Sequence, residues 1–227
     1  MNSIKDIILI ALESEAPEMQ SWDNVFFTGV GKVNAAVRAS ALITEHKPTR
    51  VWNFGTAGGI NPTCKDLVEV SNFVQRDMRC CELGFDLGMT PFEDYVTISF
   101  DNPDEGLTCS TGDNFVDNPD LELPADVVDM EAYAIAKACQ YHGVDFRCFK
   151  YISDSADENA NAEWHETVSN GEPYYIQAYT AWLVDQGKSW KDWGQVTKFY
   201  EKQIKDQEKQ IAEQTKRIAE LHKGKKK

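Results

Sequence analysis

Acidic residues stand at several points of this chain where an apolar strand or helix has just ended or begun. Glu13 and Glu15 follow the apolar run 6–11, and Ser153-Asp154, with Asp157 beyond, follows the run 144–152. Between them, Gly55-Thr56-Ala57-Gly58-Gly59 follows the run 50–54. A further acid, Glu131, shares a helical face with Ala134, Ile135, Ala138 and Cys139 at about 100° per residue. A carboxylate on such a stripe costs free energy unless a polar group meets it. Taken singly, an acid after a strand reads as a turn or cap residue, and an acid opening a helix is favoured by the helix dipole. Their conjunction is more specific. Several carboxylates and glycine-rich backbone donors, with no metal, suit cleavage of a ribosyl bond, whose transition state is a cationic oxocarbenium sugar. Carboxylates stabilise that cation, one can activate water, and a protonated one can assist the departing base.

These groups need a scaffold that brings distant segments together. The β-branched run 6–11 reads as a buried strand, and the Ala-rich stretch 32–47 as a helix ended by Pro48. Residues 50–54 read as a strand broken by the glycines, and 66–75 alternate like a strand. The stretch 101–126, rich in Asp, Asn, Pro and Gly, reads as mostly loop. Residues 127–143 read as a helix capped by Gly143, residues 144–152 as a strand, and 172–187 as a further helix stopped by Gly. Strands alternating with helices predict an α/β layered domain, a twisted, largely parallel central sheet flanked by helices, over residues 1–193. In such sheets ligands sit beyond the carboxyl ends of the strands, which is where the acids fall.

Residues 194–227 form a separate, charged tail. From Thr197 onward ten Lys and Arg face five Asp and Glu, a net of +5, so the preceding residues carry −19 against a chain total of −14. Ile204, Ile211 and Ile218 recur every seven residues, with Tyr200, Gln207, Gln214 and Leu221 at the companion positions. A coiled coil and a solvated single helix both fit this pattern, and the closing "KGKKK" reads as disordered. The acidic body argues against nucleic acid and anionic membranes as partners. The first apolar run is too short for a secretory leader, and no stretch is long enough for a membrane helix. Six cysteines without a C-x-x-C pair, and four scattered histidines, predict reduced thiols in a cytoplasm and no zinc site. "GVGKVNAA" (29–36) is a glycine turn entering a helix, able to offer N–H groups to an anion or a hydroxyl. It lacks the third glycine of the dinucleotide fingerprint, so no nicotinamide cofactor is expected.

The segments "ALESE", "GVGKVNAA", "GTAGG", "STGDNFV", "VDMEAYAIA" and "YISDSAD" occur here in the order seen in the nucleoside phosphorylase superfamily. The chain most resembles the 5′-methylthioadenosine/S-adenosylhomocysteine nucleosidases, over roughly residues 5–185, and "DMEAYAIA" with "ISDSAD" carries the specificity. The resemblance implies that Asp154 is the general acid for purine N7, positioned by Ser153, and that Glu15 orients and deprotonates the attacking water. It implies that Glu131 accepts hydrogen bonds from the ribose 2′- and 3′-hydroxyls and that Met130 packs on the sugar. Phe115 would stack on the base, and Val116 would read its edge through the backbone. Thr56 stands where a serine is common, near ribose and water. The implied partners are a purine nucleoside and water, with no cofactor and no metal, in a homodimer to which the C-terminal helix could contribute.

The acidic "ESE" loop would repel phosphate, which favours water as the nucleophile, whereas Arg76 and Arg79 keep phosphorolysis open. A nucleoside-binding module without catalysis is the third reading, and retention of Glu15 and Asp154 counts against it. The chain is shorter than its family between residues 20 and 28 and between Phe115 and Glu131, and "RCCELGFDLGMTPF" differs from the family where a neighbouring subunit's 5′ pocket would be met. The purine and the 5′ substituent are therefore less well specified than the reaction.

Overall fold

The computed structural model describes residues 5–101, 106–188 and 194–224. The chain divides into two compact units, Met1–Tyr175 and Ile176–Lys227. The first is an α/β unit built on one sheet of eight strands: β1 (Asp6–Ile10), β2 (Val25–Phe27), β3 (Arg50–Gly59), β4 (Leu67–Gln75), β5 (Ile98–Ser99), β6 (Leu107–Thr111), β7 (Val127–Asp129) and β8 (Asp145–Asp154). The order runs β2-β1-β3-β7-β6-β4-β5, and β8 pairs with both β3 and β4. The strands β3, β7, β6, β4 and β8 therefore close into a ring. Pairing is parallel for β1–β2, β1–β3, β3–β8, β4–β6 and β6–β7, and antiparallel for β3–β7, β4–β5 and β4–β8.

Helix α1 (Lys32–His46) buries Ala35, Ala39, Leu42 and Ile43, the spacing of one helical face, and ends at Lys47 in the left-handed conformation before Pro48. Helix α2 (Ala132–His142) is buried along most of its length and stops at Gly143, φ 67°, whose N–H returns to Cys139 and Gln140 carbonyls. Both helices contribute to a core with Ile7, Leu9, Val51, Phe73 and Phe146. Trp52, Phe54, Phe149 and Tyr175 form an aromatic layer, with neighbouring ring centroids 5.1–5.8 Å apart.

Several sequence expectations change at this level. The glycines do not break β3; it continues to Gly59, paired with β8 up to Gly58↔Asp154, with an irregularity between Ala57 and Gly58. The stretch read as loop contains β6, which pairs with β4 and β7. The helix expected from residue 127 begins at Ala132, and residues 127–129 are β7. Strands β2 and β5, and helix α3 (Ala160–Thr167), carry no sequence expectation.

Helix α4 (Glu172–Asp185) starts in the first unit and continues into the second. The second unit contains α5 (Gly194–Gly224), 31 residues long, covering the helix expected over 197–221. Within it Ile204 and Ile211 are more than half exposed. The proposed boundary at residue 193 and the last three lysines of "KGKKK" lie outside the described residues. No described helix is long and apolar enough to cross a membrane.

Candidate active site

The eight site residues that the resemblance implies line one cleft: Glu15, Thr56, Phe115, Val116, Met130, Glu131, Ser153 and Asp154. They arrive on separate elements. Glu15 closes a single helical turn after β1, Thr56 lies within β3, and Ser153-Asp154 end β8. Met130 and Glu131 join β7 to α2, and Phe115 and Val116 follow β6. Phe115 is 46% exposed, whereas Val116 packs on Val128 and Ala156.

Glu15 is buried and held by three donors. Its Oε1 accepts the Thr56 N–H and the Thr56 hydroxyl, both at 2.8 Å, and its Oε2 accepts the Leu12 N–H at 3.0 Å. Three charge-assisted bonds fix the carboxylate rigidly against the Gly-rich strand. Thr56 Oγ1 in turn accepts the indole N–H of Trp164, on α3, at 3.0 Å.

Asp154 accepts the Ser153 hydroxyl at 2.8 Å on Oδ2 and the Ala156 N–H at 2.9 Å on Oδ1. Burial raises its carboxyl above the usual range, these two bonds pull it down, and the nearby acids Glu163 and Asp157 push it up. Ala156 is a buried residue at φ 51°, a left-handed conformation that turns its N–H back on the acid. Gly58 opposes Asp154 because nothing larger fits: a Cβ there would meet Asp154 Oδ1 at 2.8 Å and the Ala156 Cβ at 3.0 Å.

Glu131 is the N-cap residue of α2 and not a member of its apolar stripe. Its Oε1 accepts the N–H of Gly31 at 2.9 Å. The neighbouring Lys32 N–H donates to Asp113 at 2.7 Å. Gly31 adopts φ 92°, a left-handed conformation that favours glycine, to make this approach. Two of the N–H groups that the glycine turn could have offered to an outside anion, those of Gly31 and Lys32, are thus taken by the protein's own carboxylates. Burial, then the charge of Asp129, raise Glu131 to about 8, with Glu15 adding to the rise; Lys150 and the Gly31 N–H oppose it.

Sequence reasoning missed Asp129, Lys150 and Trp164. Asp129 Oδ2 accepts the N–H groups of Glu131 and Ala132 at 3.2 and 2.7 Å, its Oδ1 accepts the Thr111 hydroxyl at 2.6 Å, and Lys150 Nζ lies 2.9 Å away, fully buried. Asp129 and not Glu131 is the side chain that caps α2. A lysine inside a strand gives no periodic signal, and its partner lies on another strand. Of the residues lining the cleft, Arg76 is the sole side-chain cation among those described. Its guanidinium donates to the carbonyls of Ser110, Asp129, Gly112 and Asn114. Arg79 pairs with Glu122 at 2.9 Å on the surface.

The phosphorylase superfamily model matches residues 24–173. A 5′-methylthioadenosine/S-adenosylhomocysteine nucleosidase from an Exiguobacterium strain is 34% identical over 183 residues, covering 67% of this chain and 77% of that protein. One of the same name from Geobacillus thermodenitrificans is 26% identical over 81% of this chain and 89% of its own length. Among solved structures, a Helicobacter pylori 5′-methylthioadenosine/S-adenosylhomocysteine nucleosidase with butyl-thio-DADMe-Immucillin-A has the same fold, with a TM-score of 0.68 and 22% identity over 76% of this chain and 94% of that one.

Proposed function

The chain belongs to the phosphorylase superfamily, and from that premise we propose that it hydrolyses the N-glycosidic bond of a purine nucleoside and releases the free base. The lead substrates are 5′-methylthioadenosine and S-adenosylhomocysteine, taken from the relatives' names. The observation that carries the reading is the convergence of Glu15, Glu131 and Asp154 on one cleft, each held by different donors.

Asp154, whose carboxyl burial raises above the usual range, is the acid that gives a proton to N7 of the base, turning the purine into a better leaving group. Ser153 and Ala156 fix the direction of that carboxyl. Glu15 orients the water and takes its proton. Glu131 accepts hydrogen bonds from the 2′- and 3′-hydroxyls, Met130 packs on the sugar, and Thr56 stands between sugar and water. Phe115 stacks on the base, whose edge meets the backbone of Val116. The acidic lining favours the cationic sugar as it forms.

Two observations favour water over phosphate. Arg76 gives its terminal N–H groups to backbone carbonyls, and the Gly31 and Lys32 N–H groups at the start of α1 go to Glu131 and Asp113. A binding module without catalysis would have no use for both Glu15 and Asp154. The working form is a homodimer, to which the exposed apolar side chains Val33, Val37 and Tyr141 of α1 and α2 offer a face. The six cysteines without a C-x-x-C pair suggest reduced thiols in a cytoplasmic setting.

The test is to incubate the protein with methylthioadenosine, S-adenosylhomocysteine, adenosine and inosine, with and without phosphate, and to separate the products by chromatography. Free base and free sugar independent of phosphate are expected. Sugar 1-phosphate appearing only with phosphate would replace hydrolysis by phosphorolysis. In the same assay Asp154→Asn is expected to lose on the order of a hundredfold or more in kcat, and an unimpaired variant would remove its role.

A further inference from the structure

Trp164, on α3, belongs to no motif in the sequence. Its indole N–H donates to Thr56 Oγ1 at 3.0 Å, and that hydroxyl donates to Glu15 Oε1 at 2.8 Å. The direction of this chain is forced. An indole can only donate, and a threonine hydroxyl has one proton. With the indole on one Oγ1 lone pair, the Thr56 proton goes to the carboxylate. Glu15 Oε1 then carries two donors, the Thr56 hydroxyl and the Thr56 N–H, while Oε2 carries one, the Leu12 N–H. A carboxylate oxygen accepts about two hydrogen bonds. The lone pair left over is on Oε2, and that is where a water proton can be received.

We propose that Trp164 is a positioning residue for hydrolysis: by donating to Thr56 it commits the threonine proton to Glu15 and leaves the Oε2 lone pair for the attacking water. The inference rests on the reading of Glu15 as the base that activates water. Without the indole N–H, the Thr56 hydroxyl could turn and donate to water or to a sugar hydroxyl, and Oε1 would compete with Oε2 for the water. Bonds aligned head to tail onto a charge also strengthen one another, so loss of the outer donor weakens the inner bond. The plainer role for a half-buried tryptophan is to wall the cleft, which it lines. That role needs the ring and not the N–H.

A double-mutant cycle separates the two. Trp164→Phe keeps an aromatic ring and removes the N–H; Thr56→Val removes the hydroxyl at similar volume. Steady-state hydrolysis of methylthioadenosine is measured for the wild type, both single variants and the double variant, with thermal unfolding to establish that each folds. Trp164→Phe is expected to lower kcat roughly five- to tenfold, with KM changed by less than about twofold. In the Thr56→Val background the same substitution is expected to change kcat no further. An unchanged kcat in Trp164→Phe, a change confined to KM, or an equal fall in both backgrounds overturns the role. If Trp164→Phe does not fold, Trp164→Leu, which likewise keeps an apolar wall and has no donor, gives the same comparison. Wild-type protein that releases no base overturns the proposed function itself, a result distinct from any of these.

Discussion

Glu131 and Asp129 stand two residues apart, both buried, and their carboxyls are displaced in opposite directions. Burial would raise Asp129, but the Lys150 ammonium, the Thr111 hydroxyl and the first N–H of α2 overcome it and hold the group below its usual range. At Glu131 the Lys150 charge and the Gly31 N–H also pull downward, but burial and the acidic neighbours prevail and lift it from 4.5 to about 8. The sign of the consequence follows from linkage. Between those two values the folded chain holds a proton that the unfolded chain has released, so stability falls as pH rises through this window. Glu131→Gln removes that term. Its unfolding midpoint is expected to exceed the wild type at pH 8 by the equivalent of about 1–3 kcal/mol, and the gap should close towards pH 5. Nucleoside binding should be lost in the same variant. A midpoint difference that does not vary with pH would show that Glu131 is not the group responsible.

At the scale of elements, Lys150 and Asp129 hold the site's supports together. Lys150 belongs to β8 and Asp129 ends β7, and Asp129 also reaches Thr111 at the end of β6 and the first N–H groups of α2. Removing one partner of a buried ion pair strands the other's charge. Lys150→Met is therefore expected to lose about 3–5 kcal/mol of stability. Lys150→Met with Asp129→Asn should recover part of it, because the amide still bonds Thr111 without a charge. Urea unfolding checks both, and a double variant no more stable than the single one would refute the account. This device was not legible in the sequence, and the reason is physical. Strands β1, β4 and β8 and helix α1 announce themselves by apolar runs and helical spacing. The strand β6, "LTCST", sits between β4 and β7 and draws its stability from pairing on both sides, not from its pattern. "VVD" runs on into an apolar helix, so β7 reads as its first turn; the change of direction is made by the Asp129 cap. The acids at the strand ends were legible, because a carboxylate beside an apolar run is conspicuous. Trp164 was not, because α3 has few apolar residues and a tryptophan shows its N–H partner only in three dimensions.

For the whole molecule the open quantity is how copies of the chain associate. Two features compete. On α1 and α2, Val33, Val37 and Tyr141 are 72%, 67% and 85% exposed; Val33 and Tyr141 border a shallow groove lined by small residues such as Ala36, Ala134 and Ala138, and Val37 borders a second that shares Ala36 with it. On α5, Ile204 and Ile211 are 55% and 62% exposed at a spacing of seven. A coiled coil needs apolar residues at both seam positions, and α5 places Gln207 and Gln214 at the second. Two of its seven seam positions from Tyr200 to Leu221 are therefore polar, both of them in the middle of the seam. The α1–α2 face has large side chains beside small ones, which allows interdigitation, and it offsets the repulsion expected between bodies of net negative charge. Removal of residues 194–227 is therefore expected to leave the proposed dimer intact, whereas Val37→Glu, which places a charge on this exposed apolar face, should yield monomers. Sedimentation velocity across a concentration series measures both. A dimer that survives Val37→Glu and dissociates when the tail is removed would move the association to α5, and would make the Ile204–Ile211 seam its source despite the glutamines.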